Sequence, residues 1–303
     1  MTIKIGVHPS NLTLFVLSRK PELLEDLVKP TGETVEWVNY LDGTKTVTKL
    51  ITGEIDFGGT GSTPPIKAQA DGIPVVYVAT SQPRPAHGAL LVLKDSPIQT
   101  LSDLKGKKVA LSQGSYQEQF LAIALHNVGL EYRDITPIQF SAPEVLLDFL
   151  NSDIDVWIAG DPLLAEAQEK YELRALSYTE GIISDRSVFF TRRAFAEKQL
   201  VSLRLIVRGL ERSDRWIATH FREAAELLAA EVNNGIDAQH WEISLRRRPW
   251  GLIPVSEEFI AEQQHAADVF YRFGNIAAPI TVADAVLPNR LSVFESDLVA
   301  SGS

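Results

Sequence analysis

Apolar residues along the chain follow two alternating rhythms. Ile3, Ile5 and Val7 alternate with other residues, and the spacing predicts a first strand over "IKIGVHP". Ser10 or Asn11 then precedes Leu14 and Leu17, which predicts a helix through Ser18 with one of the two as its cap. "TVEWVNY" (34–40) predicts a second strand. "GTKTVTKLITGEIDFGG" predicts a helix stopped by Gly53 and a short strand around Ile55–Phe57. "TPPIKAQADG" predicts a helix ending at Gly72, and "PVVYVATS" (74–81) a strand rich in β-branched residues.

The same grammar returns from residue 88. "GALLVLKDSP" predicts a strand, "TLSDLKGKKVALSQGS" a short helix and the strand Lys108–Leu111, and "SYQEQFLAIALHNVG" a helix. Ser115 and Glu118 have the spacing of a capping box, and Gly129 ends the apolar face that begins at Phe120. "DITPIQF" and "IDVWIAG" predict strands, with the helix "PEVLLDFLNS" between them. "DPLLAEAQEKY" predicts a helix with Asp161 as cap and Pro162 in its first turn. "LRALSYT" and "RSVFFTRRAF" predict strands, and the chain beyond residue 195 is mainly helical. Alternation of this kind predicts an α/β fold with mostly parallel sheets in two blocks, roughly 1–83 and 88–185. The helical tail is expected to return to the first block.

Composition narrows the function classes. The 303 residues suffice for two domains, and the net charge of −10 gives no general attraction to nucleic acid or anionic membranes. With no cysteine, thiolate catalysis, disulfides, iron–sulfur clusters and Cys-based zinc sites are excluded. No apolar run is long enough for a transmembrane helix. The opening "MTIKIGVHPS" is a strand rather than a leader, which fits a cytosolic protein or an exported domain whose leader Met1 replaces.

Four strand-to-helix turns are rich in small polar residues: "GVHPSN" (6–11), "GGTGST" (58–63), "SQGSYQ" (112–117) and "AGDP" (159–162). Ligands of open α/β sheets sit beside such turns, and helix N-termini favour anions. Two turns per block predict a cleft with hydrogen-bond donors on both walls. The nucleotide motifs fail. No Lys follows the glycines as a P-loop requires, and Pro64 stands where a dinucleotide fingerprint has its third glycine. The histidines lack metal-ligand spacing, no nucleophile elbow occurs, and His8 alone sits at one of these turns, as a polar lining residue. In "SLRRRPWG" (244–251), Arg248 beside Pro249 and Trp250 is the arginine with a fixed direction; the other two read as solvated. Arg186 has a weaker claim.

The order "GSTPPIKAQADG", "VVYVA", "SPIQTLSDLKGKKVALSQGS", "DVWIAGDP", "FFTRRAFAEK", "RRRPWGLIPVS" and "ADVFYRFG" resembles periplasmic aliphatic-sulfonate-binding proteins of ABC importers over nearly the whole chain. The resemblance implies a type II periplasmic-binding protein fold: two Rossmann-like lobes, hinged by two crossings, that close over a ligand. Lobe one is then 1–83 plus 188–303 and lobe two 84–187. It implies no metal, no cofactor and no chemistry, a small anionic ligand, membrane permease subunits as partners, and an extracytoplasmic monomer that binds no nucleic acid. It puts Thr60, Gly61, Ser62 and Thr63 at the sulfonate, Gly114, Ser115 and Tyr116 opposite them, Asp161 on the far wall and Arg248 at the closing edge. His8, Asn11, Gln82 and Gly160 complete the expected ligand-binding set. Gly160 replaces an aromatic residue that many relatives carry, which predicts a larger pocket. Taurine, nitrate or another small anion is the alternative ligand, with Asp161 facing an amine in the taurine case. Enzymes of the same fold, a desulfinase and a thiamine-pyrimidine synthase, rely on cysteine; a cysteine-independent enzyme is the remaining alternative.

Overall fold

The computed structural model describes residues 1–140, 143–288 and 293–294. Its strands are β1 (Thr2–Val7), β2 (Thr34–Asn39), β3 (Phe57–Thr60), β4 (Val75–Ser81), β5 (Gly88–Leu93), β6 (Lys108–Leu111), β7 (Thr136–Gln139), β8 (Val156–Gly160), β9 (Leu173–Tyr178), β10 (Val188–Arg192) and β11 (Leu252–Ile253). Its helices are α1 (Leu12–Arg19), α2 (Glu22–Val28), α3 (Thr46–Thr52), α4 (Thr63–Ala70), α5 (Tyr116–Asn127), α6 (Pro143–Leu150), α7 (Leu163–Lys170), α8 (Arg193–Lys198), α9 (Leu200–Thr219), α10 (Phe221–Val232), α11 (Ala238–Arg247) and α12 (Glu257–Phe273). None of these helices is long and apolar enough to cross a membrane.

The strands form two sheets, ordered β11-β4-β10-β3-β1-β2 and β7-β6-β8-β5-β9. The α/β expectation is met, but the sheets are mixed rather than mostly parallel. β1 runs parallel to β2 and β3, and β6 runs parallel to β7 and β8. β10 and β5 run against their neighbours. The reason is where the chain crosses between sheets, over 82–87 and 179–187. Each crossing leaves one sheet at the cleft and enters the other at the cleft. The entering strand therefore starts where the parallel strands end, and must run opposite to them.

Burial follows from this arrangement. β3 and β4 are buried at every position, as strands covered on both faces must be. The tail adds β11 to the edge of the first sheet and lays α9 on α1 and α2, where Gly209 fits against Leu24. It also reaches the other half. Phe259 and Phe270 of α12 share a buried cluster with Phe120 of α5 and Tyr77 of β4. The final segment assigned to lobe one, 289–292 and 295–303, lies outside the described residues.

Three local expectations are corrected. β3 begins at Phe57 rather than at Ile55, because the Ile55 N–H closes α3 by donating to Lys49 O, and pairing with β10 starts at Phe57. The Ser115–Glu118 capping box does not form. Ser115 Oγ accepts from Gln117 N–H, and Glu118 reaches past it to Gly114 N–H at 2.6 Å. The cap position of α7 falls on Pro162, yet Asp161 still accepts the Ala165 N–H at 3.2 Å.

Gly58 and Gly59 sit inside β3, where neither glycine turns the chain. A Cβ on Gly59 would lie 2.6 Å from Asn11 Nδ2 and 2.7 Å from Phe189 Cδ1, and one on Gly58 2.6 Å from Thr46 Cγ2. These glycines let α1, α3 and β10 approach the strand that leads to the cleft. Gly59→Ala is expected to destabilise the protein by about 1–3 kcal/mol through overpacking. Equilibrium urea unfolding checks this, and an unchanged midpoint would contradict it.

Candidate ligand-binding cleft

A cleft of about 420 Å³ lies between the two sheets, lined from both. The first wall begins where β1 ends. His8 is 2% exposed, and its Nε2 lies 2.8 Å from Gly59 O. A carbonyl only accepts, so Nε2 carries the proton and Nδ1 presents a bare lone pair, enclosed and unpartnered. Burial pulls the ring below its ordinary pKa, against the hydrogen bond to Gly59, and keeps it neutral. Gly43 closes over the ring, since a Cβ there would meet His8 Cε1 at 2.5 Å.

The loop after β3 does something different from what its composition predicts. Thr60 and Gly61 line the cleft, but Thr60 Oγ1 donates to Gly61 O at 2.7 Å. Ser62 and Thr63 do not line it. The Ser62 hydroxyl donates to Gln119 Oε1 and that of Thr63 to Ser115 O at 2.8 Å, so both tie α4 to α5 across the cleft's edge. Lys67 meets Glu118 at 2.8 Å in the same seam, and Asn275 donates to the other oxygen of Glu118. Hydroxyls at facing helix N-termini are chemically suited to an anion, but here those of Ser62 and Thr63 donate to an amide and a backbone oxygen of the facing segment. Asn11 and Gln82 also stand outside the lining. Asn11 caps α1 through Leu14 N–H, and Gln82 pairs its backbone N–H with Gly251 O.

On the second wall Gly114, Ser115 and Tyr116 line the cleft. The Ser115 hydroxyl donates to Ser112 O at 2.6 Å. Tyr116 Oη is enclosed with no partner, and burial raises its pKa further, so it remains an O–H. Gly160 is explained by this ring: a Cβ there would lie 2.0 Å from Tyr116 Oη. The glycine does not enlarge the pocket as expected; Tyr116 fills the space that it vacates. Asp161 presents a carboxylate 1% exposed. Its Oδ1 accepts from Arg247 Nη1 at 3.1 Å and from Ala165 N–H, while Oδ2 is enclosed and unpartnered. Burial raises this carboxyl to about 6, with Arg247 and Arg248 opposing.

Arg248 follows α11 and reaches the cleft. Its Nε is enclosed without a partner, and it makes no ion pair with any described residue. Its guanidinium stands 5.3 Å from the Trp250 ring. Burial, and repulsion by Arg84, lower it to about 10 against the attraction of Asp185, Asp161 and Asp214, which leaves it charged at neutral pH. The neighbouring arginines differ. Arg246 bonds Glu242 on its own helix, whereas Arg247, read above as solvated, bridges to Asp161 and Gln168 of the opposite half. Arg186 is held by Glu262 at 2.9 and 3.1 Å and donates to Ser81 O, so it braces a crossing rather than the cleft.

Sequence reasoning missed a buried knot at the crossings. Arg84 donates to Asp185 O at 2.7 Å and to Asp185 Oδ1 at 2.9 Å, and His87 Nδ1 lies 2.6 Å from Asp185 Oδ2. Arg84 and His87 line the cleft. The signal was present in Pro83-Arg84-Pro85, a second arginine whose direction prolines fix. Burial alone would raise Asp185, but Arg84 and His87 hold it at about 2. Burial lowers His87 to about 4, with the neighbouring Asp185 partly opposing, so the imidazole stays neutral.

Two α/β halves joined by two crossings, with a donor-bearing cleft between them, define a two-lobed solute-binding fold. The chain belongs to the NMT1/THI5-like family, whose profile matches residues 29–224. It is 32% identical over 270 residues to an Escherichia coli (strain K12) protein named for binding aliphatic sulfonates, across 89% of this chain and 83% of that one. It superposes on the alkanesulfonate-binding protein SsuA from Xanthomonas axonopodis pv. citri bound to MOPS with a TM-score of 0.82, at 28% identity over 94% of this chain and 98% of that one. The periplasmic aliphatic sulphonate binding protein SsuA from Escherichia coli gives a TM-score of 0.85, at 29% identity over 94% and 92%.

The neutral His87 has a measurable consequence. Between pH 6.5 and about 4 the unfolded chain takes up a proton that folded His87 refuses. Its contribution is present above that window and is lost as pH falls through it. Relative to His87→Gln, the wild type is expected to lose up to about 1.4 kcal/mol of stability per pH unit there. Urea unfolding of both proteins across this range checks it, and parallel pH profiles would contradict it.

Proposed function

We propose that this chain captures an aliphatic sulfonate in the cleft between its halves and delivers it to the membrane subunits of an ABC importer. One observation carries the reading: Arg248 brings to the cleft a guanidinium that forms no salt bridge with a described carboxylate and whose Nε has no hydrogen-bond partner. A buried unpaired charge is costly, and an anionic ligand removes that cost. A sulfonate suits the site because it is always ionised and accepts from several directions, matching the planar donor fork of arginine. Relatives named for binding sulfonates over nearly the same span support the choice of anion.

In this reading the lobes are 1–83 with 188–303, and 84–187, and the crossings form the hinge. The α4–α5 seam and the Arg247–Asp161 bridge describe a closed state, in which the ligand is shielded from water. The ligand-facing residues are His8, Thr60, Gly61, Gly114, Ser115, Tyr116, Gly160, Asp161 and Arg248, with Arg84 and His87 added. The protein works as a monomer in the periplasm or its equivalent, as a carrier without catalysis.

Isothermal titration calorimetry against alkanesulfonates, nitrate and sulfate tests the reading. Alkanesulfonates are expected to bind, and Arg248→Met is expected to weaken them by about 30-fold or more, the scale for losing one partner of a buried charge contact. An unchanged affinity in the variant would remove Arg248 from the site. Absence of binding to every sulfonate in the folded wild type would remove the function.

A further inference from the structure

Where α11 meets α7, a buried histidine stands between two carboxylates. His240 of α11 is 4% exposed. Its Nδ1 lies 2.8 Å from Oδ1 of Asp237, the cap of its own helix, and its Nε2 lies 2.8 Å from Oε2 of Glu169, on α7 of the other half. A carboxylate only accepts, and a neutral imidazole carries one N–H. With that one proton, the second ring nitrogen turns a lone pair toward an oxygen at hydrogen-bond distance. Both contacts become hydrogen bonds when the ring holds one proton more, as imidazolium. The other charges on the surrounding helices are engaged elsewhere. On α7, Glu166 pairs with Lys170, which acts on Asp237 only at longer range. On α10, Glu223 meets Lys20, Glu226 meets Arg222 and Glu231 meets Arg19. On α9, Asp214 accepts from Thr13 and Gly251, and on α11 itself Glu242 meets Arg246 and Arg247 meets Asp161.

Resting on the sulfonate reading and its closed state, we propose that His240 is a proton-dependent latch: closure over the ligand brings Glu169 to the ring, and an imidazolium then bridges the two halves. The latch has a lever on the site. Trp241 follows His240 on α11 and Arg248 stands just past the end of that helix, and both line the cleft. Holding α11 against α7 therefore holds these two groups over the ligand. Asp237 stays beside the ring when the halves part, because it caps α11, whereas Glu169 leaves with α7. The closed form thus holds the added proton more tightly than the open one, and falling pH favours closure. Asp161 works the other way at the same edge. Burial raises its carboxyl to about 6, so falling pH removes the charge that holds Arg247. Glu169 is the position at which the two effects separate.

Glu169→Gln changes a side chain that is more than half exposed and lies outside the cleft lining. Its amide N–H can donate to Nε2 of a neutral ring whose Nδ1–H donates to Asp237, so the contact persists without an added proton. Calorimetry with propane-1-sulfonate is expected to show the wild type gaining affinity relative to this variant between about pH 8 and about pH 6. The gain is up to about fivefold, the scale of a partly exposed ion pair. Repeated near neutral pH in buffers of different ionisation enthalpy, the titration is expected to count more protons taken up per ligand by the wild type than by Glu169→Gln. Asp161 and Asp214 titrate in both proteins and drop out of the comparison. An affinity ratio that stays constant across this range, or equal proton uptake, would overturn the latch while leaving the sulfonate reading intact. Failure of the folded wild type to bind propane-1-sulfonate at any of these pH values would count against the sulfonate reading itself and remove the latch with it.

Discussion

The buried contact between Arg84 and Asp185 holds the two crossing segments together, and the cleft takes its shape from them. Arg84 lies on one crossing and Asp185 on the other, and the guanidinium bonds both the carboxylate and the backbone of its partner. The surrounding hydrogen bonds repeat the link: Arg84 N–H to Ser184 O, Glu180 N–H to Pro85 O, and the Thr179 hydroxyl to Pro85 O. Removing either charge would leave the other buried and unmatched, which is the expensive way to break such a pair. Because the crossings meet at the cleft, they also dictate that β5 and β10 run against their sheets.

The two walls are joined at opposite edges by different chemistry. At one edge the N-termini of α4 and α5 meet through hydroxyls, amides and the Lys67–Glu118 pair. At the other, α11 meets α7 through Arg247 with Asp161 and Gln168, and through His240 with Glu169 at 2.8 Å. Hydroxyls that donate to amide and carbonyl oxygens across a seam are unavailable to a ligand. The donors left without partners among the cleft-lining residues are Arg248 Nε, Trp241 Nε1 and Tyr116 Oη.

Charge in the cleft is nearly balanced by construction. Asp185 is matched by Arg84 and Asp161 by Arg247, and burial keeps His8 and His87 neutral. Asp214, near Arg248, is raised to about 6 by burial; it accepts from the Thr13 hydroxyl and Gly251 N–H, which anchors the segment just after Arg248. Arg248 thus lies in a field shared by Asp185, Asp161 and Asp214, without a salt bridge to any of them.

Most of the fold was legible in the chain. Alternation at Ile3, Ile5 and Val7, a cap at Ser10 or Asn11 and the glycine stops at Gly53 and Gly129 each act over a few residues, so spacing locates them; the structure chooses Asn11 for the cap. The placement of a cleft at strand-to-helix turns followed for the same reason, and Arg248 was visible because Pro249 and Trp250 restrict it. Tertiary structure decided which polar groups remain free. Ser62 and Thr63 look like ligand donors until Gln119 and the Ser115 carbonyl take them; Gly160 looks like an open wall until Tyr116 occupies it; Arg247 looks solvated until Asp161 faces it. A hydrogen bond depends on the partner that arrives from elsewhere in the chain, and local sequence carries no record of that partner.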